Sequence, residues 1–248
     1  MSNTIDGDAR GNTALVLGSA SPRREALLRQ AGAEFIVRAA ATDETLGAGY
    51  SPGAYVSELA KRKSAAVSEI MARDIGFAEP YDRIIVIGAD TVVVTDGGEI
   101  FGKPADRADA KRMLGTLSGR WHEVYTGVAL TVIKNAKRDK PDTRPAALNT
   151  VSFARAAAPG GAGKTDRYSI VKFEKTRVKM RELDDEAIEA YIDTGEPDDK
   201  AGAYAVQGVG SLLIERVEGC YYNVVGLPLS LLGSMLGDLG YNLLKKKT

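Results

Sequence analysis

Short runs of apolar residues along the chain are separated by longer amphipathic segments, a pattern typical of layered α/β proteins. Runs at 14–17, 34–38 and 83–94 predict strands, and the third is rich in β-branched residues along most of its length. Such a run is typical of a central strand that is covered on both faces. Two further strands are predicted at 120–133 and 169–183, where apolar positions alternate with polar ones. The pattern therefore predicts an α/β fold with a mixed, twisted sheet and flanking helices.

Helices are predicted where capping and helix-breaking residues bracket an amphipathic segment. In the first helix, Ser21 suits the N-cap, Pro22 suits the first helical position and Gly32 suits the C-terminal end. The sequence predicts further helices at 51–73, 106–117, 184–193 and 228–239, and a hairpin of strands 211–217 and 221–225 that turns at Glu218-Gly219.

Two segments fall outside this pattern. Residues 1–13 are polar and are expected to form a flexible tail. Residues 134–168 contain eight Lys or Arg, three Asp, three Pro and three Gly, which predicts a long basic insertion with a poorly ordered tip. We therefore expect a single domain over 14–248 that carries this insertion.

The insertion also contains a segment that fits a loose P-loop pattern, APGGAGKT at 158–165, with Ala in place of the first Gly. A P-loop must open a helix, because the helix N-terminus completes its phosphate site. The residues after Thr165 alternate like a strand instead. The pattern therefore does not favour a P-loop here.

Composition excludes several classes of protein. The 248 residues include 33 Lys or Arg and 33 Asp or Glu, and this balance argues against a surface that wraps nucleic acid. A single cysteine, Cys220, and a single histidine, His122, exclude a disulfide framework, a cysteine zinc site and a multi-histidine metal centre. His122 is expected to be a surface or packing residue. No apolar run reaches the roughly 18 residues of a membrane span, and we expect a cytoplasmic protein with no membrane partner.

The turn between the first strand and the first helix is a candidate phosphate site. A helix N-terminus offers free N–H groups and partial positive charge, and Ser19, Ser21, Arg23 and Arg24 surround this one. Arginine forks bind phosphate oxygens in a bidentate manner. An ordinary capped helix with exposed arginines would have the same sequence, so this segment alone leaves both interpretations open.

Asp90 is the sharpest single signal, because it interrupts the apolar run at 83–94. A carboxylate in a central strand is costly unless a metal, a cation or hydrogen bonds offset its desolvation. The alternative is a strand-end residue that caps a loop. Glu44, Lys63 and Lys103 carry little information alone, but one acid pair with several cations would suit a metal-bound polyphosphate.

Taken together, the motifs resemble the Maf family of nucleoside triphosphate pyrophosphatases. The matching blocks occur in order: LGSASPRR at 17–24, DE at 43–44, AKRK at 60–63, GADT at 88–91, GKP at 102–104, LSG at 117–119, DKAGAYAVQG at 199–208 and VGLP at 225–228. They lie within about 14–133 and 170–240, so the resemblance covers nearly the whole chain except the tail and the insertion. It implies two lobes around a central cleft, like the inosine triphosphate pyrophosphatases, and a homodimer.

The resemblance also implies roles for particular residues. Asp90 matches the proton acceptor. Glu44 matches an acidic residue that, together with Asp90, is associated with a divalent cation such as Mg²⁺, Mn²⁺ or Co²⁺. Ser19, Arg24, Lys63 and Lys103 match polar and cationic residues around the triphosphate, and of these Lys63 and Lys103 are assigned to catalysis.

Arg23, Thr91 and Gln207 match positions tied to substrate choice, and at all three the chain resembles the subfamily that acts on dTTP and UTP. The amide of Gln207 offers the donor and the acceptor that a 4-keto pyrimidine with an N3–H requires. The expected reaction is cleavage between the α and β phosphates to a nucleoside monophosphate and pyrophosphate.

Two other functions remain open at this stage. A modified pyrimidine nucleotide would be an equally good substrate, since a small 5-substituent demands only space. A nucleotide-binding regulator of cell division, with little or no turnover, is the alternative from another class. No nucleic-acid partner is expected.

Overall fold

Seven strands form one mixed sheet in the computed structural model, which describes residues 12–47, 49–135 and 167–244. The strands are β1 (Thr13–Leu17), β2 (Ile36–Val37), β3 (Arg83–Thr95), β4 (Ile100–Phe101), β5 (Trp121–Lys134), β6 (Arg167–Met180) and β7 (Ile214–Glu218). Their order is β2-β1-β3-β5-β6-β7, and β4 also pairs with β3. Strand β1 is parallel to β2 and β3, and the other pairs are antiparallel. The predicted α/β fold with a mixed sheet is confirmed.

Helices cover both faces of the sheet. They are α1 (Pro22–Gln30), α2 (Pro52–Arg73), α3 (Ile75–Ala78), α4 (Arg107–Leu117), α5 (Asp185–Asp193), α6 (Tyr221–Val225) and α7 (Leu229–Asp238), with 3-10 helices at Glu196–Asp199, Ala201–Ala203 and Gly208–Leu213. One core cluster packs α2 against β1 and β3, and clusters on the opposite face contain residues of α1 and α7, or of α4 and α5. The predicted strands and long helices agree with these bounds to within a few residues. No helix in the described part of the chain is long and apolar enough to cross a bilayer.

The predicted hairpin at 211–225 is wrong in its second half. Residues 221–225 form α6, and only 214–218 of the first half form a strand. The reason is tertiary: the Asn223 amide, fully buried, donates to the Val124 carbonyl at 2.9 Å and to Thr176 Oγ1 at 3.0 Å, and both of these residues belong to the sheet. The β-propensity of two tyrosines and two valines is overridden by these contacts.

The predicted segment boundaries are tested only in part. Thr13, which the sequence placed in the tail, is the first residue of β1 and is buried. The rest of the tail up to residue 11 and most of the basic insertion, 136–166 with its P-loop-like segment, lie outside the described residues.

A gap along one edge of β3 creates a cleft. On that side, β1 pairs with β3 only as far as Ile87, and β4 pairs with it only from Val93 onward. The residues between, 88–92, have no strand neighbour on this side within the described part of the chain, although β5 pairs with them on the other. The cleft therefore opens where β1 ends and the chain turns into α1.

Two glycines bring α2 directly onto the sheet beside this cleft. A Cβ atom on Gly88 would lie 2.4 Å from the carbonyl oxygen of Ala60, and one on Gly127 would lie 2.2 Å from that of Val56. Only a residue without a side chain permits this approach of helix backbone to strand backbone. The close packing sets the height at which Lys63 of α2 meets β3.

Candidate active site

A cavity of about 490 Å³ occupies the cleft. Its walls are the β1–α1 turn, the middle of β3, α2 and the segment from Asp199 to Gln207. The structure brings all nine sequence-predicted site residues to this cavity: Ser19, Arg23, Arg24, Glu44, Lys63, Asp90, Thr91, Lys103 and Gln207. Residues that are far apart in the sequence thus form one site.

Asp90 and Lys63 form an ion pair in the cavity. Asp90 is only 7% exposed, and its Oδ1 lies 2.6 Å from Lys63 Nζ. The same ammonium lies 2.8 Å from Glu44 Oε1, and Glu44 is an exposed residue on the loop after β2. Lys63 therefore bridges the two carboxylates that the sequence assigned to a metal.

Burial raises the pKa of Asp90 despite the opposing charges of Lys63 and Arg24. Desolvation disfavours the carboxylate, whereas the lysine that donates to it favours the ionised form. A carboxylate held in this way accepts a proton more readily than an ordinary aspartate. The geometry thus suits Asp90 to general-base chemistry.

The two carboxylates also fit a divalent cation. Asp90 and Glu44 lie close enough for the Lys63 ammonium to contact both, and a cation shared by them would bind beside that ammonium through the carboxylate oxygens that it does not contact. The described residues contain no group of three or more Asp, Glu, His or Cys side chains arranged for a metal. A cation here would take its remaining ligands from phosphates and water, which is the usual environment of Mg²⁺ at nucleotide sites.

Arg24 ties the wall of the cavity together. Its Nε donates to the Gly226 carbonyl at 2.9 Å, Nη1 to Ser19 Oγ at 3.2 Å and Nη2 to Thr91 Oγ1 at 3.2 Å. Desolvation by burial lowers its pKa, which the nearby charge of Asp90 partly offsets. A guanidinium has five N–H groups, so about two remain for a ligand after these three bonds.

The start of α1 differs in one detail from the prediction. Ser21 occupies the N-cap position, but its side chain makes no capping hydrogen bond, and its own N–H donates to Ser19 Oγ at 3.2 Å. Pro22 follows at the first helical position, as predicted. The first turn of α1 is therefore not capped by a side chain, and it borders the cavity.

Arg23 is held from the far side of the cleft. Its Nη1 lies 3.0 Å from Asp199 Oδ2, and Asp199 also pairs with Lys200. The hydrogen bonds from Lys200 and Arg23 lower the pKa of Asp199 in spite of its partial burial, which acts in the opposite direction. Lys103 makes no ion pair or hydrogen bond within the described residues, so its ammonium is free for an anion.

Sequence reasoning assigned no role to Asp199, Lys200 or Tyr204, which also line the cavity. All three lie in the DKAGAYAVQG block, so the motif itself was a signal. Tyr204 is buried, and its hydroxyl lies 2.7 Å from Nε2 of His122. His122 is therefore a packing residue behind the cavity wall, one of the two positions predicted for it.

The chain is similar to known proteins over most of its length. The chain matches the model of the Maf-like protein family over residues 14–239. It is 44% identical over 232 residues to the dTTP/UTP pyrophosphatase of Acetivibrio thermocellus, covering 94% of this chain and 98% of that protein. The protein of the same name from Pelotomaculum thermopropionicum is 42% identical over 93% of this chain and 98% of its own length. The one from Hahella chejuensis is 39% identical over 93% of this chain and 94% of its own length. The chain belongs to the Maf family.

Proposed function

We propose that the protein is a nucleoside triphosphate pyrophosphatase that hydrolyses dTTP and UTP to the nucleoside monophosphate and pyrophosphate. The observation that carries the proposal is the buried Asp90, ion-paired with Lys63 at 2.6 Å, in a cavity lined by four further cationic residues, Arg23, Arg24, Lys103 and Lys200. Further support comes from the relatives named dTTP/UTP pyrophosphatase. No observation favours a regulator without turnover.

The reaction begins with a water molecule beside Asp90. The water oxygen bonds to the α phosphorus as the Asp90 carboxylate takes its proton, and the bond from that phosphorus to the α–β bridging oxygen breaks. The electron pair of this bond leaves with pyrophosphate. Lys63 keeps the Asp90 carboxylate ionised and oriented until the transfer.

Cationic side chains stabilise the charge that develops on the leaving group. Lys103 and the two spare N–H groups of Arg24 would bind phosphate oxygens, and this is supported by their place in the lining of the cavity with Ser19 and the first turn of α1. A divalent cation held by Asp90 and Glu44 would polarise the phosphate and lower the pKa of a bound water. The identity of this cation, Mg²⁺, Mn²⁺ or Co²⁺, stays a prediction.

Base selection is assigned to Arg23, Thr91 and Gln207. Gln207 lines the cavity and offers both a donor and an acceptor, which matches the 4-keto and N3–H groups of uracil and thymine. A modified pyrimidine with a small 5-substituent has the same two groups and remains a candidate substrate. The homodimer and the cytoplasmic location also stay predictions.

The test is pyrophosphate release from UTP, dTTP, CTP and 7-methyl-GTP with each metal and with EDTA. We expect metal-dependent release from UTP and dTTP, and a loss of at least about a hundredfold in kcat for Asp90→Asn, since that variant lacks the proton acceptor. The matched control is Asp96→Asn, an exposed aspartate at the end of the same strand and outside the cavity. Release by Asp90→Asn at the control's rate would refute the assignment.

A further inference from the structure

The loop that carries Gln207 is anchored by residues outside the cavity. Within the described part of the chain the Gln207 amide makes no hydrogen bond, so the backbone of its loop is what holds it in place. A primary amide that can rotate pairs with a 4-amino pyrimidine as well as with a 4-keto one, because it carries both a donor and an acceptor. The orientation of the amide, and with it the discrimination between UTP and CTP, therefore depends on where the loop holds Gln207 relative to the polar groups around the cavity.

The two ends of this loop meet at one tyrosine. The hydroxyl of Tyr191, a buried residue of α5, accepts a hydrogen bond from the N–H of Ala205 at 3.0 Å. A Cβ atom on Gly210 would lie 2.6 Å from the same hydroxyl and 2.4 Å from the Ala205 carbonyl oxygen. Residues 205 and 210 are thus packed against each other, and Gln207 lies in the loop between them.

Glu196 completes the anchor. Its Oε2 accepts the N–H of Gly210 at 2.8 Å, and burial, together with the Glu196 charge, raises the pKa of the Tyr191 hydroxyl. Since Tyr191 accepts from Ala205, its own O–H is available to donate to the Glu196 carboxylate. The Glu196 carboxylate also lies under Gly208, where an added Cβ atom would lie 2.0 Å from Oε1. Gly208 has φ +63°, a conformation that glycine adopts without strain.

The same short turn also holds the other wall of the cleft. Glu196 begins the 3-10 helix Glu196–Asp199, and Asp199 ends it with its ion pair to Arg23. Lys200 fixes the turn by donating to the Glu196 carbonyl at 3.1 Å. One turn thus positions both Arg23 and the loop of Gln207.

We propose that Glu196, acting with Tyr191, is a positioning residue that sets the preference for 4-keto pyrimidine nucleotides by fixing the Gln207 loop. This inference rests on the proposed function, because it assumes that Gln207 contacts the base. Neither anchor residue lines the cavity, so neither contacts the substrate directly.

The experiment compares kcat/KM for UTP with kcat/KM for CTP in Glu196→Ala, Glu196→Gln and Tyr191→Phe. We expect the UTP/CTP ratio to fall about tenfold in Glu196→Ala and Tyr191→Phe, mainly through a higher KM for UTP. Glu196→Gln keeps an acceptor for Gly210 and should retain most of the ratio. A fall in the folded fraction lowers both activities equally, so a merely structural role would leave the ratio unchanged.

The matched control is Asp198→Asn, on the same turn. Asp198 is exposed, and its side chain makes no hydrogen bond or ion pair within the described residues, so the ratio should match that of the wild type. An unchanged ratio in both Glu196→Ala and Tyr191→Phe would overturn the inference. If Glu196→Ala does not fold, as judged by circular dichroism, an unchanged UTP/CTP ratio in Tyr191→Phe alone would overturn the inference. A wild type that does not distinguish UTP from CTP would instead overturn the base preference in the proposed function, and this inference with it.

Discussion

His122 allows a test of how deeply the sheet beneath the cavity is shielded from water. It is 2% exposed, and burial lowers its pKa from 6.5 to about 4. The physical reason is visible in its contacts: Nε2 meets the hydroxyl of Tyr204, but the buried Nδ1 has no hydrogen-bond partner within the described residues. An imidazolium ion would have to bury a second N–H without an acceptor.

The sign of the pH dependence follows from this lowered pKa. Below pH 6.5 the unfolded chain binds a proton at His122, whereas the folded chain does not bind one until about pH 4. Stability therefore falls as the pH drops through this window. At about 1.4 kcal/mol per pH unit, the contribution of His122 to the free energy of unfolding decreases by about 3 kcal/mol.

The assay is urea denaturation of the wild type and of His122→Gln at several pH values from 7 to 4. Carboxylates titrate in both proteins, so the difference between their slopes isolates His122. Because the chain has one histidine, its imidazole signal in an NMR titration is unambiguous and should show no inflection between pH 5 and 8. Parallel slopes, or an inflection near 6.5, would refute the assignment of a buried neutral imidazole.

Two further predictions concern the geometry of the cleft. Gly127→Ala should lower the free energy of unfolding by about 1–3 kcal/mol and should lower kcat, because the added Cβ forces α2 and Lys63 away from the sheet. Gly115→Ala, whose added Cβ lies in open space on α4, should instead raise the free energy of unfolding by roughly 0.5–1 kcal/mol. Equal unfolding free energies for the two variants would contradict this packing. Asp199→Asn should raise KM for UTP by up to about fivefold, because it removes the partly exposed ion pair, worth about 1 kcal/mol or less, that holds Arg23 at the cavity. An unchanged or lower KM would show that Asp199 does not hold Arg23 in its working position.

Much of the site was predictable because its residues are unusual for the strand or turn in which they lie. Asp90 stands out as a charge in a buried strand, and the Ser19–Arg24 turn combines a helix start with two arginines. Short local patterns also give the strand and helix bounds. Asp184, the first residue of the helix predicted at 184–193, caps α5 by accepting from Ala187 N at 2.8 Å.

The errors and omissions share a different physical origin. The helix α6 was predicted as a strand because its form depends on Asn223 reaching two strands of the sheet, 99 and 47 residues away in sequence. The role of Asp199 depends on Arg23, which is 176 residues distant. Ser21 occupies the predicted N-cap position, but its N–H donates to Ser19 Oγ and its side chain makes no capping hydrogen bond. No local pattern encodes such partners.

The bond from Arg24 to the Gly226 carbonyl joins groups that are 202 positions apart. During synthesis the N-terminal wall of the cavity leaves the ribosome long before its C-terminal partner exists, and domains fold as units once their chain is available. The cavity wall formed by Ser19, Arg24 and Thr91 is therefore completed only after Gly226 has emerged. A growing chain therefore lacks the bond that closes this wall until translation has passed Gly226.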